Sequence, residues 1–295
     1  MSVVTRLLPK LNQKPDLELL PVFPSGCAVP RVLHQCYGRA VPPSIEQTIE
    51  RTLAINPRWE HRLYDDQGMA AFIEGAYGRR ILDYYQRINP KYGAARADLF
   101  RYLLLYKCGG IYLDIKSAAE KPLDEVLRPD DVYLLSGWRT SEKDDQFEGL
   151  GSHTELAHIG GEEFQQWHIV AAPGHPFLKA VIENVLRNID CYNPGLHGTG
   201  KIGVLRLTGP IAYTLAIHPL LHAHKHRIVE SHGDLGFNYN IFSLSASDTY
   251  AHAVLFKTHY SMLTEPVVSI DWTTAVLSLF IRAARKARRV AHLTK

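Results

Sequence analysis

The chain has 295 residues, 46% of them hydrophobic and 21% charged, a composition that suits one large folded domain and excludes a disordered chain. Its 33 basic and 30 acidic residues leave a net charge of +3, too small to point to a nucleic-acid partner. Cys27, Cys36, Cys108 and Cys191 lack the close pairing of a zinc site and read as free thiols of a reducing compartment.

Residues 1–27 are punctuated by prolines and are expected to form an arm over the domain. No long apolar run follows the early basic residue, so no signal peptide is expected. No stretch approaches the roughly 18 uncharged apolar residues of a membrane span. A cytoplasmic protein is the expectation.

Residues 30–35 read as the first core strand, with His34 and Gln35 at its C-terminal end. His34 reads equally as a hydrogen-bonded strand-end histidine and as a neighbour of a bound base or ribose, because open α/β sheets bind ligands at that end. Ser44, with Gln47 three residues on, predicts a capped helix that stops before Pro57. A strand over 59–64 closes on Asp65 and Asp66, which suit the cap of a following helix. Helices are predicted over 66–75 and 78–88, and Asn89-Pro90 breaks the pattern.

The stretch 94–116 organises the rest. Leu99, Leu103 and Tyr106 recur at helical spacing, and Asp98 and Arg101 fall together on another side. Taken alone, that pair reads as an i,i+3 ion pair on a helix face. Gly109 and Gly110 end the helix, 111–113 read as a short buried strand, and Asp114 stands at its C-terminal end with Lys116 two residues beyond.

Downstream, a strand is predicted over 132–135. Residues 137–163 are rich in Gly, Ser and charge around Trp138, and a loop that long inside a compact domain is usually functional or disordered; it reads as the acceptor side. A strand over 164–172 leads through Pro173-Gly174-His175-Pro176 into a helix over 176–189. Residues 192–203 read as a Gly-rich loop without P-loop spacing, and a helix follows over 208–218. His222, His224 and His226 alternate as metal ligands would, but Lys225 and Arg227 beside them favour a solvated basic turn. Strands near 227–230, 237–242 and 253–257 complete the sheet.

The tail, 272–290, puts Val276, Leu279, Phe280 and Ala283 along one helix face, followed by Arg282, Arg285, Lys286, Arg288 and Arg289 with no acid among them. Such a helix suits an anionic membrane surface as well as it suits packing on the domain with its basic end in solvent.

Arg96-x-Asp98-x-x-Arg101-Tyr102 and Gly109-Gly110-Ile111-Tyr112-Leu113-Asp114 resemble the core of the DXD-motif glycosyltransferases of family 32. That group includes yeast-type initiating mannosyltransferases and bacterial polysaccharide-building transferases, with the clostridial glucosylating toxins as relatives. The resemblance spans roughly residues 28–190 and, more loosely, continues to about 260. It implies a GT-A-type α/β fold, a Rossmann-like mixed sheet flanked by helices over 28–265, followed by the basic amphipathic helix of 266–295.

The resemblance also implies site roles. The His34-Gln35 opening would belong to the nucleotide-binding half, Asp98 would hold donor hydroxyls, and Arg101 or Arg96 would orient the donor. Asp114 would serve the diphosphate and a divalent Mn²⁺ or Mg²⁺, with His259 completing the metal site. The strand over 164–172 would flank the sugar site. One departure stands out: Lys116 occupies the position of the motif's second aspartate, and an ammonium cannot ligate a cation. Either Asp114, His259 and the diphosphate hold a metal, which is the expectation, or Lys116 supplies some of its charge.

Asp98, Arg101, Asp114 and Lys116 are the expected catalytic set; His34, Gln35, Arg96, Asp98 and Asp114 are the expected donor contacts. The resemblance implies transfer of a sugar, with retention, from a nucleotide-diphosphate donor to a saccharide or lipid-linked saccharide. The setting would be bacterial-type surface polysaccharide or glycolipid synthesis at the inner face of the membrane. A toxin-like transferase acting on a protein and a non-catalytic nucleotide-sugar or carbohydrate binder are the alternatives.

Overall fold

A computed structural model describes residues 20–138, 150–242 and 260–293. The first half winds as two parallel crossovers. Strand β1 (Val32–Cys36) passes through helix α1 (Pro43–Ala54) to strand β2 (Glu60–Tyr64), which pairs parallel to it with Val32 opposite Glu60. The chain returns through α2 (Asp66–Tyr77), α3 (Arg79–Arg87) and α4 (Gly93–Cys108) to β3 (Gly110–Leu113), parallel to β1 on its other side.

Strand β4 (Ala118–Ala119), short helix α5 (Leu123–Val126), β5 (Tyr133–Leu135), β6 (His168–Ala171) and helix α6 (Pro176–Asp190) follow. Helices α7 (Pro194–His197), α8 (Gly200–Leu207) and α9 (Pro210–Ile217) precede β7 (Arg227–Ile228), β8 (Phe237–Asn238) and the last helix, α10 (Trp272–Leu293). The main sheet runs β2-β1-β3-β6-β5-β7, with β6 antiparallel to both neighbours, and β4 pairs separately with β8. This is the mixed, helix-flanked sheet expected of the sequence.

The pleat divides the core in two. Tyr112, Tyr133, Leu135, Ile169 and Ala171 face one cluster, with α2, α3, α4 and α6. Ile111, Leu113, Leu134 and Val170 face the other, with Trp59, Leu123, Trp138 and Trp167. Helix α4 fills the first. Every residue from Asp98 to Tyr106 is buried, so Leu99, Leu103 and Tyr106 do not mark one face. Phe100, Tyr102, Leu104 and Leu105 fill the other sides, and a helix hydrophobic all round is a central one.

Several boundaries differ from the sequence reading. Pro42 is the N-cap of α1 and Pro43 its first residue, so Ser44 lies inside the helix and accepts at its carbonyl from Thr48; proline's fixed φ starts the helix without a hydroxyl cap. Asp65 does cap α2, accepting from Gly68 N at 2.7 Å. The expected loop of 192–203 holds α7 and the start of α8, because Asn193 caps a helix with Pro194 at its first position. The strand expected over 164–172 is confined to 168–171, and those over 227–230 and 237–242 shrink to two residues each. The strand expected over 253–257 lies outside the described residues, as do 139–149 of the expected acceptor loop.

Gly109 sets the path from α4 into β3. Its φ is +64°, and a Cβ there would come within 2.6 Å of Pro173 Cδ and 2.9 Å of Pro30 Cδ. Gly109→Ala is expected to cost about 2–4 kcal/mol through strain and overpacking, measured by chemical denaturation. An unchanged midpoint would show that the turn relaxes freely.

Candidate functional site

The parallel strands β1, β2 and β3 point their C-terminal ends at one cavity of about 720 Å³, where open α/β sheets bind ligands. Asp114 enters it from the end of β3. Its N–H donates to Trp167 O at 2.8 Å, and its carbonyl accepts from Ser117 N at 2.9 Å and from Gln35 Nε2 at 3.3 Å. The turn so formed carries Lys116, whose Nζ lies 3.9 Å from the centre of the Tyr239 ring. Ser117 Oγ fixes Tyr239 in turn by donating to its carbonyl at 2.8 Å.

Behind Asp114 stands Arg101, brought there by α4. Its Nη2 is 3.0 Å from Asp114 Oδ1 and 3.3 Å from Asp98 Oδ1. Its Nη1 donates to Gln166 O at 2.6 Å, Nε to Ala97 O at 3.3 Å, and the guanidinium lies over the Tyr112 ring at 4.4 Å. Burial works against this charge, but Asp114, Tyr112 and Asp98 outweigh it and hold the guanidinium protonated.

Asp98 is 2% exposed, and both its oxygens are used: Oδ1 accepts from Gln166 Nε2 at 3.0 Å, Oδ2 from Thr208 Oγ1 at 2.8 Å. Burial pushes its carboxyl up, against the pull of Arg101, Thr208 and Gln166. Asp98 and Arg101 both line the cavity, with Asp98 paired to Arg101 and Arg101 to Asp114, whose side chain is a quarter exposed.

Two other expected donor contacts stand behind the wall. His34 is fully buried; its Nε2 donates to Gly109 O at 3.2 Å and its Nδ1 accepts from Tyr64 OH at 3.2 Å. Burial lowers its pKa to about 4, so the ring is neutral. Gln35 spends its amide on Asp114's carbonyl and accepts from His61 Nε2 at 3.1 Å. Neither lines the cavity: a strand end points alternate side chains away from a ligand as readily as toward it. Arg96 does line it, but its guanidinium donates twice to Ile88 O, at 3.0 and 2.9 Å.

A divalent ion wants several hard oxygen ligands. Asp114 spends Oδ1 on Arg101 and has a lysine two residues on, and among the described residues no group of three His, Cys, Asp or Glu side chains stands together. His259 lies outside the described residues. The described side chains therefore do not fit a metal by themselves. The run of His222, His224 and His226 gathers no such group either.

Sequence reasoning missed the opposite wall. Trp138, Trp167 and Tyr239 line the cavity, with Tyr239 5.1 Å from the Trp138 ring and 5.3 Å from that of Trp167. His153 and Glu163 line it too, their side chains 2.5 Å apart. The signal was the loop at 137–163, long and polar with Trp138 embedded in it; tryptophans far apart in sequence announce no shared wall.

Replacing Asp98 by Asn turns one acceptor into a donor against Gln166 or Thr208 and leaves Arg101 half-paired. Asp98→Asn is expected to cost about 2–4 kcal/mol of folding stability, read by denaturant titration. A variant as stable as the wild type would show that Asp98 is free to serve a ligand.

Residues 42–133 match the family described as "Glycosyltransferase sugar-binding region containing DXD motif", a window that holds Arg96, Asp98, Arg101, Asp114 and Lys116. Inositol phosphoceramide mannosyltransferase 3 of Schizosaccharomyces pombe is 28% identical over 163 residues, 55% of this chain and 38% of the relative. The initiation-specific alpha-1,6-mannosyltransferase of the same yeast is 29% identical over 176 residues, 55% of this chain and 41% of the relative. The chain thus spans about two fifths of the length of these curated relatives. Among solved structures, the PaToxG glycosyltransferase is 14% identical, with 86% of both chains covered and a TM-score of 0.46. By sequence, residues 42–133 of the chain are similar to the sugar-binding region of the DXD-motif glycosyltransferases.

Proposed function

We propose that the protein moves a sugar from a nucleotide-diphosphate donor, bound in the cavity at the end of β3, to a saccharide or lipid-linked saccharide. One observation carries this reading: Asp114 and Lys116 stand together on one turn at the mouth of β3, facing an aromatic wall. The start of α4 also lines the cavity, without a side-chain cap, and its dipole favours an anion there.

As the bond between the anomeric carbon and the diphosphate breaks, its electron pair leaves with the phosphate. Lys116 offsets that developing charge in a partly closed cavity, where a fixed cation acts most strongly. Asp114, held by Arg101, accepts from hydroxyls of the donor, and the rings of Trp138, Trp167 and Tyr239 offer flat apolar surface to sugar faces. No step of the transfer is routed through Mn²⁺ or Mg²⁺, because the described side chains do not fit such an ion by themselves. Retention at the anomeric carbon belongs to the same reading, on the strength of the family resemblance.

The tail supports a membrane setting. Helix α10 packs through its small side, with Ser278 buried and its backbone against Gly195 of α7. Trp272, Leu279 and Phe280 are 77%, 66% and 70% exposed, and the sequence continues into Arg285, Lys286, Arg288 and Arg289. Among the described residues no helix is long and apolar enough to cross a membrane. An interfacial helix on an anionic surface fits this pattern. It would bring a lipid-linked acceptor to the site, as surface polysaccharide or glycolipid synthesis at the cytoplasmic face requires.

Turnover is tested with a panel of UDP- and GDP-sugars, with Mn²⁺, with Mg²⁺ and in chelator. Lys116→Ala is expected to lower kcat about 10²–10³-fold, with wild-type turnover persisting in chelator. Complete loss in chelator, with Lys116→Ala unimpaired when metal is restored, would contradict the role given to Lys116. Deleting 272–295 is expected to abolish sedimentation with phosphatidylglycerol vesicles while donor turnover persists. Equal sedimentation of the truncated protein would reject the membrane role.

A further inference from the structure

Large apolar side chains scattered singly on a surface need no explanation, whereas a group of them marks a contact. Of those exposed among the described residues, Val22, Ile55, Leu63 and Ile228 lie in separate stretches of chain. The others are Ile202, Met262, Trp272, Val276, Leu279 and Phe280, and they come from segments that pack on one another.

The backbone shows how closely. Gly195 of α7 sits against α10: a Cβ there would come within 2.9 Å of Ser278 O and 3.1 Å of Ile281 Cβ. Tyr192, just before α7, donates to Gly198 O at 2.8 Å, and Ile202 Cγ2 lies 2.6 Å from where a Cβ at 198 would stand. Gly200, the first residue of α8, lies against the turn at Tyr260–Met262. A Cβ at 200 would come within 2.7 Å of Ser261 O and 2.9 Å of Leu263 O, the carbonyls on either side of Met262. Side chains at 195 or 200 would push these segments apart. One platform therefore runs from α10 through α7 and α8 to Met262.

The far edge of that platform is also the lip of the cavity. Lys201 and Leu263 line the cavity. Their sequence neighbours Ile202 and Met262 do not; they are 38% and 80% exposed. Two adjacent segments thus turn one residue inward and the next outward, and the cavity opens beside the apolar group.

Charge selects the partner. Arg282 of α10 is exposed, and the sequence continues into Arg285, Lys286, Arg288 and Arg289 without an acid. The acids nearest the lip and the start of α10 are engaged: Glu265 accepts from Lys91 Nζ at 2.6 Å, and Asp271 accepts from Thr273 Oγ1 at 2.6 Å and Thr274 N at 2.8 Å. An apolar group with Trp and Phe, bordered by cations, matches an anionic bilayer, where rings enter the acyl boundary and basic groups meet head groups. A second copy on a two-fold axis would set one basic run against another.

We propose that the lip formed by Ile202 and Met262 is a second membrane contact. It enters an anionic bilayer together with the exposed residues of α10 and sets the mouth of the cavity against the lipid surface. This rests on the membrane reading of α10 and goes beyond it: one helix tethers the domain but leaves it free to turn, whereas two contacts fix which way the cavity faces. A lipid-linked saccharide then reaches Asp114 and Lys116 across the lip without leaving the bilayer.

The test is cosedimentation of the full chain with phosphatidylglycerol vesicles. Met262→Asp and Ile202→Asp are each expected to weaken partition about tenfold or more, while Val22→Asp, off the platform, binds as the wild type. Donor turnover in solution is expected to persist in all three, since none of these residues lines the cavity. A second readout places residue 262 directly. In a Trp272→Phe, Met262→Trp chain the native Trp59, Trp138 and Trp167 are buried, so quenching by brominated phosphatidylcholine mixed into the vesicles reports position 262, and quenching is expected. Wild-type partition of Met262→Asp, or bound protein whose tryptophan at 262 is unquenched, overturns the proposal; loss of binding on deleting 272–295 would still leave the α10 reading standing. No binding by the wild type would refute both. A dimer that Met262→Asp dissociates would assign the lip to a second copy and overturn the proposal. Should Ile202→Asp fail to fold, the more exposed Met262 decides.

Discussion

The buried guanidinium of Arg101 is the constraint on which the rest of the structure depends. A charge taken out of water costs several kcal/mol unless its hydrogen bonds and counter-charges are all supplied. Here they come from four places: Ala97 one turn back in α4, the Gln166 carbonyl before β6, Asp98, and Asp114 at the end of β3. Asp98 passes the constraint on to Thr208 at the end of α8. Satisfying one side chain therefore fixes the relation of helix, strand and the later helical layer, and the fixed object at its outer edge is a carboxylate facing the cavity.

That geometry explains why the buried run of α4, from Asp98 to Tyr106, is built of Leu, Phe and Tyr apart from this pair. Tyr102 stacks on Tyr213 at 5.6 Å and donates to Thr208 O at 2.8 Å, while Tyr133 and Tyr213 share a 2.7 Å hydrogen bond. A low-dielectric surround strengthens each polar contact it encloses and penalises each one left unmade. Asp114, at the rim, escapes that enclosure on one side only, which is what a ligand-facing carboxylate needs.

Much of this was legible in the residues, for identifiable reasons. The order Asp98, Arg101, paired glycines, short strand, Asp114 could be read because helix end, strand and ligand edge follow one another within a few residues. The direction of each side chain could not. His34 and Gln35 sit at a strand end, yet one is sealed behind Gly109 and Tyr64 and the other supports the Asp114 turn. A periodicity of three leucine-like positions could not reveal that the opposite faces of α4 were equally buried, since Phe100 and Tyr102 have other partners. The aromatic wall and the His153–Glu163 pair depend on long-range packing of the chain after Leu150 against Trp138 and of β8's neighbour Tyr239 against Lys116, which no local pattern encodes.

Lys116 separates this site from a metal-only one: the position that would add a second carboxylate to the rim carries an ammonium instead, held over Tyr239. The central claim is that the Asp114–Lys116 turn receives the donor's diphosphate and sugar. A crystal structure with an intact, hydrolysis-resistant nucleotide sugar tests it most directly. The diphosphate should contact Lys116, with Asp114 within hydrogen-bond reach of the donor and the sugar against the Trp138, Trp167 and Tyr239 wall. A donor bound with its diphosphate away from Lys116 and Asp114 would contradict it.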